Sequence, residues 1–291
     1  GSVNNDNITN NGVVNVSGLE AGATWQYSLD NGATWQTGSG SSFTLPAATY
    51  VLGTVKVKQT DAAGNVSAIT NSATAMTVDV VAPNAPVGSL KHDATNDTGG
   101  SITDNITKNK LPVITGTAEA NAAIAVTING ATYTTTADAS GNWSITVSSN
   151  LPDGTYTPII KATDKAGNST TANGTTFIVD TAIANNGTGG LANSSDSGVK
   201  GDNRTNDTTP DLSGTAEPGS TVKVVVGGST YTTTADVNGQ WTLTATSPLS
   251  NGVTYTPTIQ VIDAAGNATA AVNGTPFTID TVAPANGTAG L

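Results

Sequence analysis

The side chains that could do chemistry in this 291-residue chain are carboxylates: 21 Asp and Glu stand against 10 Lys and Arg, with one histidine and no cysteine. The absence of thiols and the single His92 rule out His-rich zinc sites and most His-based catalysis, and nothing obvious activates the plentiful Ser and Thr as nucleophiles. A bound metal would therefore be a hard cation on oxygen ligands. The carboxylates recur in register. TDAAGN at Thr60–Asn65, TDKAGN at Thr163–Asn168 and IDAAGN at Ile262–Asn267 share one pattern. Gly and Asn account for a turn, because Gly tolerates positive φ and Asn bonds its own backbone. The Asp is the residue that the turn alone does not explain.

The elements that must position these carboxylates follow from composition and repetition. Charged residues make up 11% of the chain, and Thr, Ser, Gly, Asn and Val are abundant. This composition points to short strands and tight turns rather than helices. GTAEAN (Gly116–Asn121) returns as GTAEPG (Gly214–Gly219), and DASGNW (Asp138–Trp143) as DVNGQW (Asp236–Trp241). Strand-end aspartates fall at Asp79, Asp180 and Asp280, a period of 101 and then 100 residues, the size of an immunoglobulin domain. The reading is an all-β tandem array of three Ig-like, seven-stranded sandwiches. Repeat 1 spans residues 3–79, repeat 2 residues 80–180 and repeat 3 residues 181–280; residues 281–291 begin a further linker. Repeat 1 diverges: nothing before its DNITNN (Asp6–Asn11) matches the segments that precede DNITKN (Asp104–Asn109) and DNRTND (Asp202–Asp207), so it is read as lacking its first strand. Gly1-Ser2 reads as a cloning remnant.

In repeat 2, period-2 alternation places strand A at about Pro86–His92, B at Pro112–Ala118 and C around Ile124, Val126 and Ile128, with a hairpin at Asn129-Gly130. Strand E starts at Trp143, F carries Tyr156, Pro158, Ile160 and Ala162 on one face, and G ends at Val179. Strands that alternate in direction bring Glu119, Asp138 and Asp164 to the leading end of the module, where Asp79 of the preceding strand G also arrives. The same parity gathers Asp180, Glu217, Asp236 and Asp263 at the next junction. Two carboxylates about 4 Å apart repel by roughly 4 kcal/mol at an effective dielectric near 20, so four together call for a cation. Ca²⁺ suits ligands drawn from several loops better than Mg²⁺, which demands a tight octahedron. The alternative is that each Asp merely caps its turn. A second candidate is the A–B loop, with Asp97 and Asp104 in repeat 2 and Asp196 and Asp202 in repeat 3; the spacing differs by one residue between copies, and a solvated acidic loop is the competing reading.

Trp143 and Trp241 read as core anchors, as does Trp25, and His92 as a surface strand residue. A net charge of −11 disfavours nucleic acid and anionic lipid as partners. No apolar run approaches the roughly 20 residues of a membrane helix. No phosphate loop or paired-carboxylate cleft is present, so the chain is expected not to be an enzyme.

The order and spacing of DNITNN, GTAEPGSTV, the Trp-starting strand after DxxGN, TDAAGN and VDTxAP resemble the bacterial Ig-like repeats of giant type I-secreted RTX and biofilm-associated-protein-like (SiiE-like) surface adhesins. WQYSLDNGATW (Trp25–Trp35) resembles a second repeat subtype found with them. The resemblance covers essentially the whole chain. It implies a Ca²⁺-stiffened, monomeric stalk on the bacterial cell surface that serves adhesion and biofilm formation. Its partners are the neighbouring repeats, with glycans or receptors engaged elsewhere in the parent. By the match, Asp79, Glu119 and Asp164, then Asp180, Glu217 and Asp263, are the implied metal ligands; Asp138 and Asp236 rest on strand parity. Alternatives are a glycan- or receptor-binding module, or an accessory module of a secreted polysaccharide-degrading enzyme. Ala184 departs from the Pro83 and Pro284 of the other linkers, which predicts a less restrained second joint.

Overall fold

The computed structural model describes residues 5–184 and 187–287. Every regular element among them is a β-strand, and no helix is long and apolar enough to cross a membrane. The expected all-β, Ig-like architecture is what the chain adopts. Backbone contacts divide it into two compact units. The first comprises Gly1–Ser89, Val113–Val147 and Thr157–Thr175; the second comprises Leu90–Pro112, Ser148–Tyr156 and Thr176–Leu291. The second repeat thus contributes to both.

In the first unit, repeat 1 forms a four-stranded sheet in the order Gln36–Thr37, Thr24–Ser28, Lys56–Thr60, Thr70–Asn71. Ile8–Thr9 runs parallel to Met76–Val78, which pairs antiparallel with Ala48–Tyr50; Val13–Asn15 pairs with Ser42–Thr44. Between the layers Trp25, Phe43, Leu45, Tyr50, Val55 and Val78 are buried, and Tyr27 stacks on Phe43 with centroids 4.2 Å apart. From repeat 2 the unit takes the sheet Ala131–Thr136, Ala123–Ile128, Ile159–Thr163, Ser169–Asn173. It also takes the pair Val113–Thr117 and Asn142–Thr146, in which Gly116 lies opposite Trp143.

In the second unit, Ile106–Thr107 runs parallel to Phe177–Val179, which pairs antiparallel with Gly154–Tyr156. Repeat 3 repeats the plan with Ser229–Thr234, Thr221–Val226, Thr258–Ile262 and Val272–Asn273 in one sheet. Along Thr221–Val226 the side chains alternate as period 2 requires: Val222, Val224 and Val226 enter the core while Thr221, Lys223 and Val225 do not.

Repeats 2 and 3 each show ten strand segments among the described residues where seven strands were expected, because single expected strands are split between sheets and short segments, Ile106–Thr107 and Arg204–Thr205, form within the expected A–B loops. The run Tyr255, Pro257, Ile259, Val261 was expected as one strand; Thr254–Tyr255 pairs with Phe277–Ile279, whereas Thr258–Ile262 pairs with Thr221–Val226. Pro257 sits at the switch, since it has no N–H to give either ladder. Repeat 1 has nine segments and, among the described residues, no counterpart of Val87–Leu90 or Thr188–Leu191. His92 lies beyond Val87–Leu90, in a loop rather than a strand. Of the eleven residues read as a further linker, 288–291 lie outside the described residues.

Candidate functional site

Each Asp-x-x-Gly-Asn turn is built around its own carboxylate. Asp164 Oδ1 accepts the backbone N–H of Gly167 (2.7 Å) and of Asn168 (2.9 Å), and Oδ2 accepts the Asn168 side-chain amide at 2.9 Å. Asp263 holds Asn267 in the same way, at 2.8 Å for both its backbone and its side-chain amide. Gly167 and Gly266 take φ of +94° and +85°, which only glycine adopts without strain. Asp164 and Asp263 are buried. In repeat 1 Asp61 grips Asn65 with the same bonds but is only half-buried; the Asn65 side-chain bond, then its backbone bond, holds the Asp61 carboxyl below the usual range.

With its orientation set by the Asp, the Asn amide reaches the preceding repeat. Asn168 Nδ2 donates to the backbone carbonyl of Asp79 at 2.9 Å, and Asn267 Nδ2 to that of Asp180 at 3.0 Å. The buried alanine of the turn is a second point of contact. The Ala166 carbonyl accepts Asn10 N–H at 3.1 Å, and the Ala265 carbonyl accepts the Thr98 hydroxyl at 2.5 Å. Lys108 Nζ adds a bond to the Gly266 carbonyl at 2.6 Å, and the Thr170 hydroxyl one to the Pro83 carbonyl at 2.5 Å. The seams therefore join the A–B side of one repeat to the Asp-x-x-Gly-Asn turn of the next, largely through carbonyls.

The remaining sequence-derived carboxylates occupy separate places. Asp79 and Asp180 cap the linkers, accepting Val81 N–H at 3.0 Å and Ala182 N–H at 3.1 Å. Asp138 and Asp236 are exposed and cap the Asp-x-x-Gly turns, Asp138 through Ser140 and Asn142 and Asp236 through Asn238 and Gln240. The Asn142 backbone N–H is the main cause that lowers the Asp138 pKa. Glu119 is exposed at its bend. Glu217 Oε2 accepts the Ala184 N–H at 2.8 Å. That bond answers the expectation of a looser second joint: alanine supplies the N–H that proline lacks, and the linker is tied to Glu217 by it. Among the described residues, no three Asp, Glu, His or Cys side chains are gathered closely enough to hold a metal ion. At the seams Asn168 and Asn267 meet the carboxylates of Asp164 and Asp263 but the backbone carbonyls, not the carboxylates, of Asp79 and Asp180.

The A–B loops differ in kind. Asp97 is 0% exposed and Asp196 2%. Asp97 Oδ2 accepts Asn105 N–H at 3.3 Å and lies 3.8 Å from His92 Nε2; Asp196 Oδ2 accepts Gly201 N–H at 2.7 Å. In both, Oδ1 is buried without a hydrogen-bond partner. Burial, then the neighbouring Asp104 carboxyl, pushes the Asp97 pKa up against the pull of the Asn105 N–H. Asp104 and Asp202 each cap the N–H two residues on, at 3.0 Å.

Sequence reasoning passed over Asn168, Asn267, Thr98 and Lys108, which carry the seams. The available signal was the Asn recurring in all three turns, taken there as turn chemistry alone. Trp25, Trp143 and Trp241 are buried as expected.

These features define a chain of Ig-like β-sandwiches joined through recurring turn contacts. The chain belongs to the bacterial Ig-like domain family, whose model matches residues 84–181 and 183–281. No curated protein matches it. Similar solved structures include a Ca²⁺-stabilised adhesin that helps an Antarctic bacterium bind ice, at 26% identity over 96% of this chain and 72% of that one, with a TM-score of 0.38. A second belongs to a 1.5-MDa bacterial ice-binding adhesin and was solved for insight into host cell surface retention; it is 22% identical over 89% of this chain and 86% of that one, TM-score 0.37. A third is a tetra-tandem repeat from the extending region of a large adhesion protein, 21% identical over 95% of this chain and 69% of that one, TM-score 0.32.

Proposed function

We propose that this chain is a non-catalytic structural spacer, a run of Ig-like repeats from a large bacterial adhesin displayed outside the cell, whose role is to carry load between its ends. The observation behind the reading is the repeated seam, in which Asn168 and Asn267 each tie their own turn to the residue that follows the last strand of the preceding repeat, Asp79 and Asp180. A device repeated from one repeat to the next suits a stalk. It would be superfluous in modules that act singly. A glycan- or receptor-binding module would need an exposed aromatic platform, but Trp25, Trp143 and Trp241 are buried and Lys58 Nζ covers Trp35 at 4.1 Å from the ring centroid. The accessory-module alternative has no feature in its favour.

Calcium belongs to this reading as the ion that the sequence resemblance implies. The sets proposed for it at the seams are Asp79, Glu119, Asp138 and Asp164, then Asp180, Glu217, Asp236 and Asp263. They fit an ion poorly as arranged: both oxygens of Asp164 and of Asp263 are engaged by their own turns. The spacer reading rests on the hydrogen-bonded seams and needs no ion there.

The test is single-molecule pulling on the 291-residue chain. A load-bearing spacer unfolds in discrete force peaks, each releasing about 35 nm as roughly 100 residues extend at about 3.5 Å apiece. Extension without force peaks would refute it.

A further inference from the structure

Repeat 1 leaves open an edge that repeats 2 and 3 cover with an added strand. In repeat 3, Thr188–Leu191 pairs antiparallel with Asp211–Thr215, placing Leu191 opposite Leu212, and the Gly189 carbonyl accepts the Thr275 N–H at 2.8 Å. In repeat 2, Val87–Leu90 takes the same place beside Val113–Thr117, and the Gly88 carbonyl accepts the Thr175 N–H at 2.8 Å. The corresponding strand of repeat 1 is Val13–Asn15, which pairs with Ser42–Thr44 as Asp211–Thr215 pairs with Gln240–Thr244. Among the described residues it has no second neighbour, so its outer edge lacks a ladder partner.

Along that edge runs a groove of about 330 Å³ whose lining includes Val14, Val16, Val57, Ser72, Ala73 and Met76. Ala73 holds the place from which Thr175 and Thr275 bond the added strand, because the Ser72 N–H donates to the Val55 carbonyl as Gly174 donates to Pro158 and Gly274 to Pro257. The apolar side chains carry the same signal. Ile160, Ile259, Phe177 and Phe277 are at most 1% exposed, and the added strand lies directly on the first of them: a Cβ on Gly88 would stand 2.7 Å from Ile160 Cδ1. Their counterparts in repeat 1, Val57 and Met76, are only half-buried. An apolar floor beside a free strand edge is the combination that takes up an extended segment by β-addition.

The sequence of the added strand recurs near the C-terminus. Residues 281–291, TVAPANGTAGL, agree with residues 181–191, TAIANNGTGGL, at six of eleven positions, and TAGL at 288–291 differs in one residue from TGGL, the added strand of repeat 3. We propose that the groove of repeat 1 accepts residues 288–291 of a second copy of this chain, which add antiparallel to Val13–Asn15 as Thr188–Leu191 adds to Asp211–Thr215. Donor and acceptor are different surfaces, so the contact is heterologous: each pairing leaves one groove and one tail free, and association continues head to tail. This goes beyond the spacer reading, which holds whether or not the groove is filled.

Sedimentation velocity and hydrogen–deuterium exchange on the full chain test this together. The mean mass of wild type should rise with concentration from about 10 μM to about 1 mM, the weak range suited to so short a ladder. A variant ending at Gly287, which loses no residue of any strand described above, should remain monomeric throughout. Ala73→Pro, which deletes the docking N–H at an exposed position, should also stay monomeric, with an unchanged near-ultraviolet circular dichroism spectrum showing that it is folded. A synthetic peptide of residues 281–291 in excess should return wild type to monomer and slow exchange in residues 13–17 and 72–76 by roughly tenfold, leaving residues 211–215, whose edge is already covered, as they were. The proposal is overturned if wild type is monomeric across the range, if the chain ending at Gly287 associates as wild type does, or if a scrambled peptide protects residues 13–17 equally. Pulling traces of single chains keep their force peaks whatever the outcome, so the spacer reading stands or falls separately.

Discussion

Replacing Gly99 with alanine should open the second seam, and Gly198 provides a built-in control. Both glycines sit two residues after the buried loop aspartate and both have positive φ, +104° and +68°, so alanine costs each about 1–2 kcal/mol of backbone strain. Their surroundings differ. A Cβ on Gly99 would run into the Ala264 carbonyl oxygen and lie 2.9 Å from its carbon and 3.1 Å from the Ala265 carbonyl carbon, whereas a Cβ on Gly198 meets nothing within 4 Å. The obstruction on Gly99 is backbone, which cannot rotate away. Relief requires the loop and the turn to separate, which breaks the Thr98 bond to Ala265 and the Lys108 bond to Gly266. Those two bonds contribute about 2–3 kcal/mol together, so seam opening should rise roughly 30- to 160-fold beyond the strain common to both variants. Hydrogen–deuterium exchange of peptides covering residues 96–108 and 262–267 reads this directly. Gly99→Ala should accelerate exchange in both, and Gly198→Ala in neither. If the two variants are indistinguishable in residues 262–267, the seam does not form as described.

Asn168→Ala should destabilise its turn and seam by about 1–3 kcal/mol, because it removes amide bonds to both Asp79 and Asp164; Asn65→Ala, whose amide bonds Asp61 alone among the described residues, should cost less, and equal losses in denaturant melts would contradict the bridging role. Ala184→Pro should loosen the second linker, since it deletes the N–H donated to Glu217; a raised melting temperature would show that chain stiffness outweighs that bond. Asp30 should titrate at about 2, chiefly because the Thr34 hydroxyl and N–H and the Ser28 hydroxyl bond its carboxylate. Being depressed, that pKa makes the turn favourable above the unfolded value near 3.9, and the benefit is lost as pH falls towards 2; an NMR titration midpoint near 3.9 would refute this. Trp25→Ala should cost repeat 1 about 3–5 kcal/mol, read by loss of its near-ultraviolet circular dichroism, because the indole is buried and its Nε1–H donates to the Gly40 carbonyl at 3.0 Å.

The alternation of Val222, Val224 and Val226, the hairpin at Asn129-Gly130 and the hundred-residue period were legible in the sequence because strand pleat, turn conformation and repetition are local properties of the chain. That Asp164 caps its own Gly-Asn turn stood in the sequence only as the alternative to a metal site, although carboxylate and amide are just four positions apart. The sequence alone also excluded thiol chemistry and His-rich zinc sites, since cysteine is absent and His92 is the single histidine. Where the Asn168 amide points, once Asp164 has oriented it, was decided only by the tertiary structure, as Asp79 lies 89 residues away. The split of Tyr255–Val261 between two sheets was decided there too, because a period-2 pattern does not record which neighbour each half will pair with. Parity brought the acidic loops to one end of the module but could not say whether their oxygens would face one another or be engaged by nearby N–H groups. Only packing revealed that Asp97 and Asp196, no more prominent in sequence than the rest, are the carboxylates left with a bare buried oxygen, since burial is a property of the whole assembled fold.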